Sequence, residues 1–503
     1  MIISPVMIVS GQTCAGCHPR EVDGFAKSAM AHSLGRPGAY STPDGEFQHT
    51  VSNTRFESRT IDNAVWQSLA RPGETEKLRV EYAIGSGNHA VGFLARVGDH
   101  LFQSPMSYYT TRRLWDVAPG YDQARNPDFS RPVTLECLNC HSDKPLPIPN
   151  TLNSYQAPPF AGMAIQCDRC HGPAEAHLKR PVPGSIINPA KLSPAARDSI
   201  CEQCHLSGDI RVPNPGKALA DFQPGERAEE VFTVYVAAAP VESGIKVISH
   251  AEQLALSMCA RNSGGKLWCG TCHDPHDKPL IAATYYRERC LGCHASNISA
   301  AHAAPGQNCI SCHMPQRAAK DGGHTAFTDH RITRRPEPEG KLSLATELAA
   351  WREPAPGFRE RNLALALITQ GLQNAVPDQV IRGYRTLSRI EKSLANDPVA
   401  LTELGSVLLT AKQPKEAERR FAMALALRPH YAPYEVNLGD ALLEEGELTR
   451  ATEHLKRAMD LDPLLPQAIH LLGQAYRAEG QSAAADEVSA NYDRAMGIIR
   501  KTK

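Results

Sequence analysis

Aromatic side chains are scarce in this sequence, at 6% of 503 residues. That is too few to fill several cores, so a chain built only on its own large side chains is a poor fit. Net charge is also missing, with 54 Lys plus Arg against 54 Asp plus Glu. A nucleic-acid partner, which needs a basic face, is therefore not expected. Nor is there a polybasic stretch to bind an anionic membrane surface. No apolar run reaches 18 residues, so there is no transmembrane segment of the helical kind. The opening MIISPVMIVSGQ is apolar but short, has no basic region, and meets a cysteine already at Cys14. A working secretory leader does not fit there. Residues 1–12 read as a leader remnant, or as a start placed inside the natural chain. The length suggests two to four domains, and 36 glycines with 38 prolines suggest much irregular backbone.

What the sequence has in excess is cysteine and histidine, 15 and 20 residues. Fourteen of the cysteines fall in seven copies of one word, Cys-x-x-Cys-His. The copies are Cys14, Cys17, His18; Cys137, Cys140, His141; Cys167, Cys170, His171; and Cys201, Cys204, His205. They continue with Cys269, Cys272, His273; Cys290, Cys293, His294; and Cys309, Cys312, His313. The spacing has a chemical reason. Two thiols three positions apart add across the two vinyl groups of one haem, and the next imidazole becomes its proximal iron ligand. Zinc also takes paired cysteines, but it needs two pairs to converge and demands no histidine at the fifth position. With histidine at about 4% of the chain, seven such histidines by chance is on the order of one in 10^9 or rarer. Seven c-type haems are expected. Their propionates would take the neutral apoprotein to roughly −7 to −14, which makes cationic patches on redox partners plausible. Because such haems are attached on the outer side of the cytoplasmic membrane, a periplasmic or extracellular location is expected. Cys259 is left over and reads as an inert buried thiol.

Seven six-coordinate irons need seven further axial ligands. His276 follows His273 by three residues, too short a tether to reach the opposite face of the same haem. It should ligate a neighbouring haem, and His177, six residues after His171, invites the same argument. His89 stands in a turn, GSGNH, between two alternating apolar stretches, and His250 precedes the fifth word. His49, His302, His324 and His330 complete the distal histidine candidates. Met30 is another, and Met/His ligation would raise that haem's potential. His32 and His100 fit better the alternative open to every one of these, a surface or propionate-side histidine.

Between Cys14 and Cys137 lies sheet-like sequence: LRVEYAI alternates at Leu78, Val80, Tyr82 and Ile84, and VGFLARV and LFQSPMSYY follow turn signals. Residues 40–115 read as a small β-rich insert in a haem domain spanning 13–335. VFTVYV at 231–236 is another strand candidate. Residues 336–356 are proline-rich and charged, the composition of a linker. Beyond them, over 357–503, cysteine vanishes and a 34-residue period appears. Leu404–Gly405, Leu438–Gly439 and Leu472–Gly473 recur, as do Ala417, Ala451 and Ala485. That period with small residues at helix crossings is the tetratricopeptide pattern, which stacks into a concave protein-binding surface. A degenerate helix pair precedes it at roughly 361–397.

With these words and repeats, the chain resembles multihaem c-type cytochromes that carry C-terminal tetratricopeptide repeats. Its haem part is similar to the nitrite reductase and hydroxylamine oxidoreductase-like superfamily, through IGSGNHAVGFL, CHGPAEAH, SHAEQLALSMCARNSGGKLWCGTCHDPH and CHMPQRAAKDGGHTAFTDHRI. The resemblance implies closely stacked, mostly bis-histidine haems, with His89, His177, His250 and His276 as distal ligands. No word is Cys-x-x-Cys-Lys, so the lysine-ligated catalytic haem of nitrite reductases is absent. The expectation is a mainly α, haem-packed cytochrome domain with a small β insert, followed by a tetratricopeptide solenoid. The expected function is electron transfer, with a redox protein partner docked on the repeats. The alternative is an oxidoreductase acting on a nitrogen or sulfur oxyanion at one five-coordinate haem. The composition break also predicts a separable tail, whose removal from residue 341 on would leave the haems intact.

Overall fold

The computed structural model describes residues 11–238, 245–295, 308–334 and 347–500. After a short strand β1 (Leu34–Gly35), an antiparallel meander runs through β2 (Gly45–His49), β3 (Thr54–Ile61), β4 (Ala64–Arg71) and β5 (Glu74–Ile84). It continues through β6 (Val91–Val97), β7 (His100–Tyr109) and β8 (Leu114–Val117), in sequential order. The sheet curls until its ends nearly meet. Trp115 of β8 donates its indole N–H to the Pro43 carbonyl at 3.0 Å. A Cβ on Gly45 of β2 would fall 2.3 Å from the Trp115 ring, so only glycine lets the two ends approach. Inside, Phe56, Leu69, Val80, Phe93, Phe102, Met106 and Phe129 form one core. A bulge between Val80 and Tyr82 turns the end of β5 over. Tyr82 therefore joins a second core on the outer face, with Leu94, Leu101, Val133, Leu138 and Tyr155.

Small sheets follow. β9 (Pro145–Pro147) pairs with β10 (Tyr155–Phe160). β11 (Ile210–Pro213) pairs with β12 (Phe232–Ala237), and β13 (Gln316–Ala318) with β14 (Ala326–Thr328). β15 (Leu348–Ala350) adds to β12, and β16 (Ile498–Arg500) returns to the large sheet beside β5. Ile498 lies opposite Glu76, and Met496 enters the sheet core.

The expectation of a mainly α, haem-packed domain with a small β insert is thus overturned. The chain is α+β, and its N-terminal half is organised by a nine-stranded, barrel-like sheet filled by its own side chains. Alternation was visible only where β5 to β7 are apolar. β3 carries many charged and hydroxyl residues, β2 is only five residues long, and β16 comes from more than 400 residues away. Of the stretch read as a linker, residues 347 onward form β15 and its flank, where Trp351 donates to Glu202 at 3.1 Å.

The seven words lie on or beside short helices. These are α1 (Gly11–Ala15), α2 (Pro19–Phe25), α3 (Leu135–Asn139), α4 (Asp168–His171), α5 (Glu175–Lys179) and α6 (Pro194–His205). The series continues with α7 (His250–Leu256), α8 (Met258–Asn262), α9 (Cys269–Cys272), α10 (Ala282–His294) and α11 (Cys309–His313). Beyond β15 come helix pairs: α12 (Arg359–Gln373) with α13 (Pro377–Arg389), and α14 (Pro398–Thr410) with α15 (Pro414–Leu427). α16 (Ala432–Glu445) with α17 (Leu448–Leu461), and α18 (Pro466–Ala478) with α19 (Ser482–Ala495), complete the set. The last three pairs start at residues 398, 432 and 466, the 34-residue period of a tetratricopeptide-type repeat.

Glycine at the crossings is a packing requirement only where the partner is close. A Cβ on Gly405 would sit 2.5 Å from the Phe421 ring, whereas one on Gly473 meets only the tip of Arg477 at 3.3 Å. Gly405→Ala is therefore expected to destabilise by about 1–3 kcal/mol through overpacking. Gly473→Ala should be neutral or stabilising by up to about 1 kcal/mol, through helix propensity alone. In thermal melts the midpoint should fall for Gly405→Ala and hold or rise for Gly473→Ala.

The repeats are fastened to the rest of the chain at several places. Arg361 on α12 donates to the Pro213 carbonyl at the end of β11 at 2.5 Å, and Asn362 reaches Asn214 after β11 and Thr233 in β12. Buried Asp462, after α17, accepts from His100 of the sheet at 2.5 Å and from the Leu152 backbone at 2.9 Å.

Candidate cofactor site

Most word-bearing helices have nothing of their own to stand on. α4, α9, α10 and α11 bury no residue, although α10 is 13 residues long. Leu280, Ile281 and Met258 nearby are 102%, 68% and 61% exposed. An isolated helix shorter than about 12–15 residues is marginal in water, and these segments draw little support from burial of their own side chains. α3 and α6 do rest on protein, through Leu138 and Ile200.

The words are nevertheless gathered together. Residues inside them bond to one another: Arg169 donates to the Asn139 carbonyl at 2.8 Å, and Gln203 to the Arg169 carbonyl at 3.1 Å. Thiols of different words also face each other, Cys14 with Cys167, Cys140 with Cys204, Cys201 with Cys269 and Cys290 with Cys309. No disulfide joins any of the fifteen cysteines.

The histidines are arranged in facing pairs. His18 and His177 have ring centres 6.3 Å apart at 27°, and His171 and His276 are 5.8 Å apart at 23°. His273 and His330 are 6.1 Å apart at 31°. Two imidazoles bound trans to one metal at about 2 Å each place their ring centres about 6 Å apart. Each of these three pairs has that spacing. His205 and His250 meet edge-on at 5.2 Å, a shorter contact. Each second ring comes from another word's neighbourhood: His177 follows the third word and faces the first, while His276 follows the fifth and faces the third. The segments clasp one another.

Ring-nitrogen use sorts the candidates further. A metal-bound histidine almost always donates its other ring N–H to a protein acceptor. His171 gives Nδ1 to the Ile187 carbonyl at 2.8 Å, His177 to Ser185 at 2.8 Å, and His330 to the Thr328 carbonyl at 2.9 Å. His313 gives Nδ1 to the Thr333 carbonyl at 2.9 Å, and His276 lies 3.4 Å from Asp274 through the same nitrogen. His32, on the turn Met30–His32, bonds its Nδ1 to the Ser28 carbonyl at 2.9 Å, and Met30 beside it is half-buried.

His49, His100 and His324 are used differently. Their Nε2 atoms, the ones an iron would take, bond to the Asp122 carbonyl at 3.2 Å, Asp462 at 2.5 Å and Asp116 at 2.6 Å. For His49 and His324 this differs from the expectation of an axial ligand, and the reason is a nearby oxygen, from Asp122 just after β8 and from Asp116 on β8. His100 instead ties the sheet to the repeats. His302 lies outside the described residues.

His89, His141 and His250 bury Nδ1 with no hydrogen-bond partner. Burial holds His89, His141, His171, His205, His273 and His330 below the ordinary imidazole range, and pushes His250 down to about 3. The low values keep these rings neutral, the form that can bind iron. Among the described residues no three His, Cys, Asp or Glu side chains converge as a metal cluster would need. A haem iron asks the protein for only two ligands, and the facing pairs fit that demand. Tyr286, whose hydroxyl lies 3.1 Å from His273 Nδ1, is a site residue that sequence reasoning missed.

No protein-family model and no curated protein matches the chain. Among solved structures, a crystal structure of MamA protein is similar over 28% of this chain and 74% of its own, at 19% identity and a TM-score of 0.25. MamA 41-end from Desulfovibrio magneticus RS-1 covers 27% of this chain and 77% of its own, at 25% identity and 0.25. BtubC from P. vanneervenii covers 29% and 65%, at 18% identity and 0.26. Scores this low carry no argument about activity. The repeat character of the C-terminal region rests on its own 34-residue helix period. Among the described residues no helix is long and apolar enough to cross a membrane.

Proposed function

We propose that this chain is an electron-transfer protein carrying seven covalently attached c-type haems, working in the periplasm or outside the cell. The observation that supports it best is the facing of His18 with His177, His171 with His276 and His273 with His330 at about 6 Å, beside words whose helices bury nothing. Each cysteine pair would hold one haem by thioethers, and the following histidine would take its iron. When bound, the haems supply reversible one-electron chemistry at potentials set by ligands and burial.

The chain's own residues do the rest. His177, His276 and His330 would close the second axial position, and Ser185 and the Thr328 carbonyl hold two of those rings in orientation. Arg169 and Gln203 keep the second, third and fourth words adjacent, the closeness electron tunnelling needs. The repeats would offer a protein partner, itself a redox protein, the surface they do not use against the sheet.

Substituting one facing histidine tests this. His177→Gly, His276→Gly and His330→Gly are each expected to turn one low-spin haem high-spin and able to bind carbon monoxide when reduced. The check is electron paramagnetic resonance with the reduced optical spectrum. Spectra identical to the parent in all three variants would contradict the assignment.

A further inference from the structure

The proximal histidines do not all hold Nδ1 in the same way. His171 and His313 use backbone carbonyls, of Ile187 and Thr333. His273 instead turns Nδ1 toward the Tyr286 hydroxyl at 3.1 Å, with the rings 5.5 Å apart at 68°. That hydroxyl is buttressed. Tyr285 packs edge-on against the Tyr286 ring at 5.2 Å. Arg289 donates to the Tyr285 hydroxyl at 3.1 Å and lies over its ring at 4.8 Å. Tyr286 also stands on α10 one turn before Cys290, so the helix carrying the sixth word reaches back to the iron ligand of the fifth.

We propose that Tyr286 is a positioning residue for the fifth-word haem: its phenol oxygen accepts the Nδ1–H of His273 and so sets that haem's potential apart from its neighbours. This rests on the haem reading above. With Nε2 on iron, Nδ1 must carry the hydrogen, so His273 donates and Tyr286 accepts. An acceptor at this place adds electron density to the imidazole and favours the ferric state. Such outer partners tune ligand basicity and potential. Removing the acceptor raises the potential, and a stronger acceptor lowers it.

The experiment uses the full-length, haem-loaded protein, counting haems first and then titrating them by spectroelectrochemistry. In Tyr286→Phe, one of seven potentials is expected to rise while the others stay. In Tyr286→Glu, that same potential is expected to fall. Both variants should keep seven low-spin haems. The proposal is overturned if no potential moves in Tyr286→Phe, if both variants move it the same way, or if Tyr286→Phe loses a haem. A parent protein without haem would instead refute the reading on which this rests, and the initial count separates the two failures.

Discussion

Made without haem attachment, the protein is expected to keep its sheet and its repeats while the word-bearing segments come apart. The sheet core buries Phe56, Phe93, Phe102 and Phe129 completely. Each such side chain contributes about 1.5–3 kcal/mol, enough to hold that part without a cofactor. α4, α9, α10 and α11 bury nothing and have no comparable source of stability. In hydrogen exchange, their amides should exchange near free-chain rates in the apoprotein. In the haem-loaded protein they should slow by about 10^3-fold or more, the range between local opening and global unfolding. Amides of β5 to β7 should stay protected in both. Equal protection of α10 with and without haem would show that something other than a cofactor covers it.

The second large effect concerns the repeats. The composition break near residue 340 suggested a tail that could be removed cleanly, but the structure ties that tail in. Met496 is part of the sheet core, β16 pairs with β5, and Asp462 bridges His100 and the Leu152 backbone. Removing residues 347–503 is expected to give an aggregating protein rather than an intact cytochrome lacking a docking module. A gentler probe is Asp462→Ala. It leaves the buried His100 ring and the Leu152 N–H without their acceptor and should cost about 1–3 kcal/mol, the penalty for an unsatisfied buried donor. Urea unfolding followed by near-ultraviolet circular dichroism would measure it. A soluble, haem-replete truncation with unchanged melting would restore the separable-tail view.

Legibility in the sequence followed the range of the interaction. The seven Cys-x-x-Cys-His words were visible because each is a five-residue pattern, and the haems proposed for them would need no distant partner for attachment. The short tethers of His177 and His276 were likewise visible in the sequence, and the structure sets their rings beside His18 and His171 rather than beside the histidine of the word each follows. The helical period is carried by recurring Leu-Gly pairs and alanines 34 residues apart. What could not be read was set by distant partners. The oxygens that engage Nε2 of His49, His324 and His100 lie 73, 208 and 362 residues away. The sheet looked small because only its apolar strands alternate cleanly, and its ninth strand arrives at the end of the chain. Tyr286 carries no local signal, since its partner His273 lies 13 residues back on the other side of a turn.

Intact-mass spectrometry of the protein, made in a host that attaches haem outside its cytoplasm, asks the central question directly. The mass should exceed that of the polypeptide by seven haem increments, with no free thiol in any Cys-x-x-Cys-His word. A polypeptide of bare mass, with those fourteen sulfurs still open to alkylation, would contradict the account.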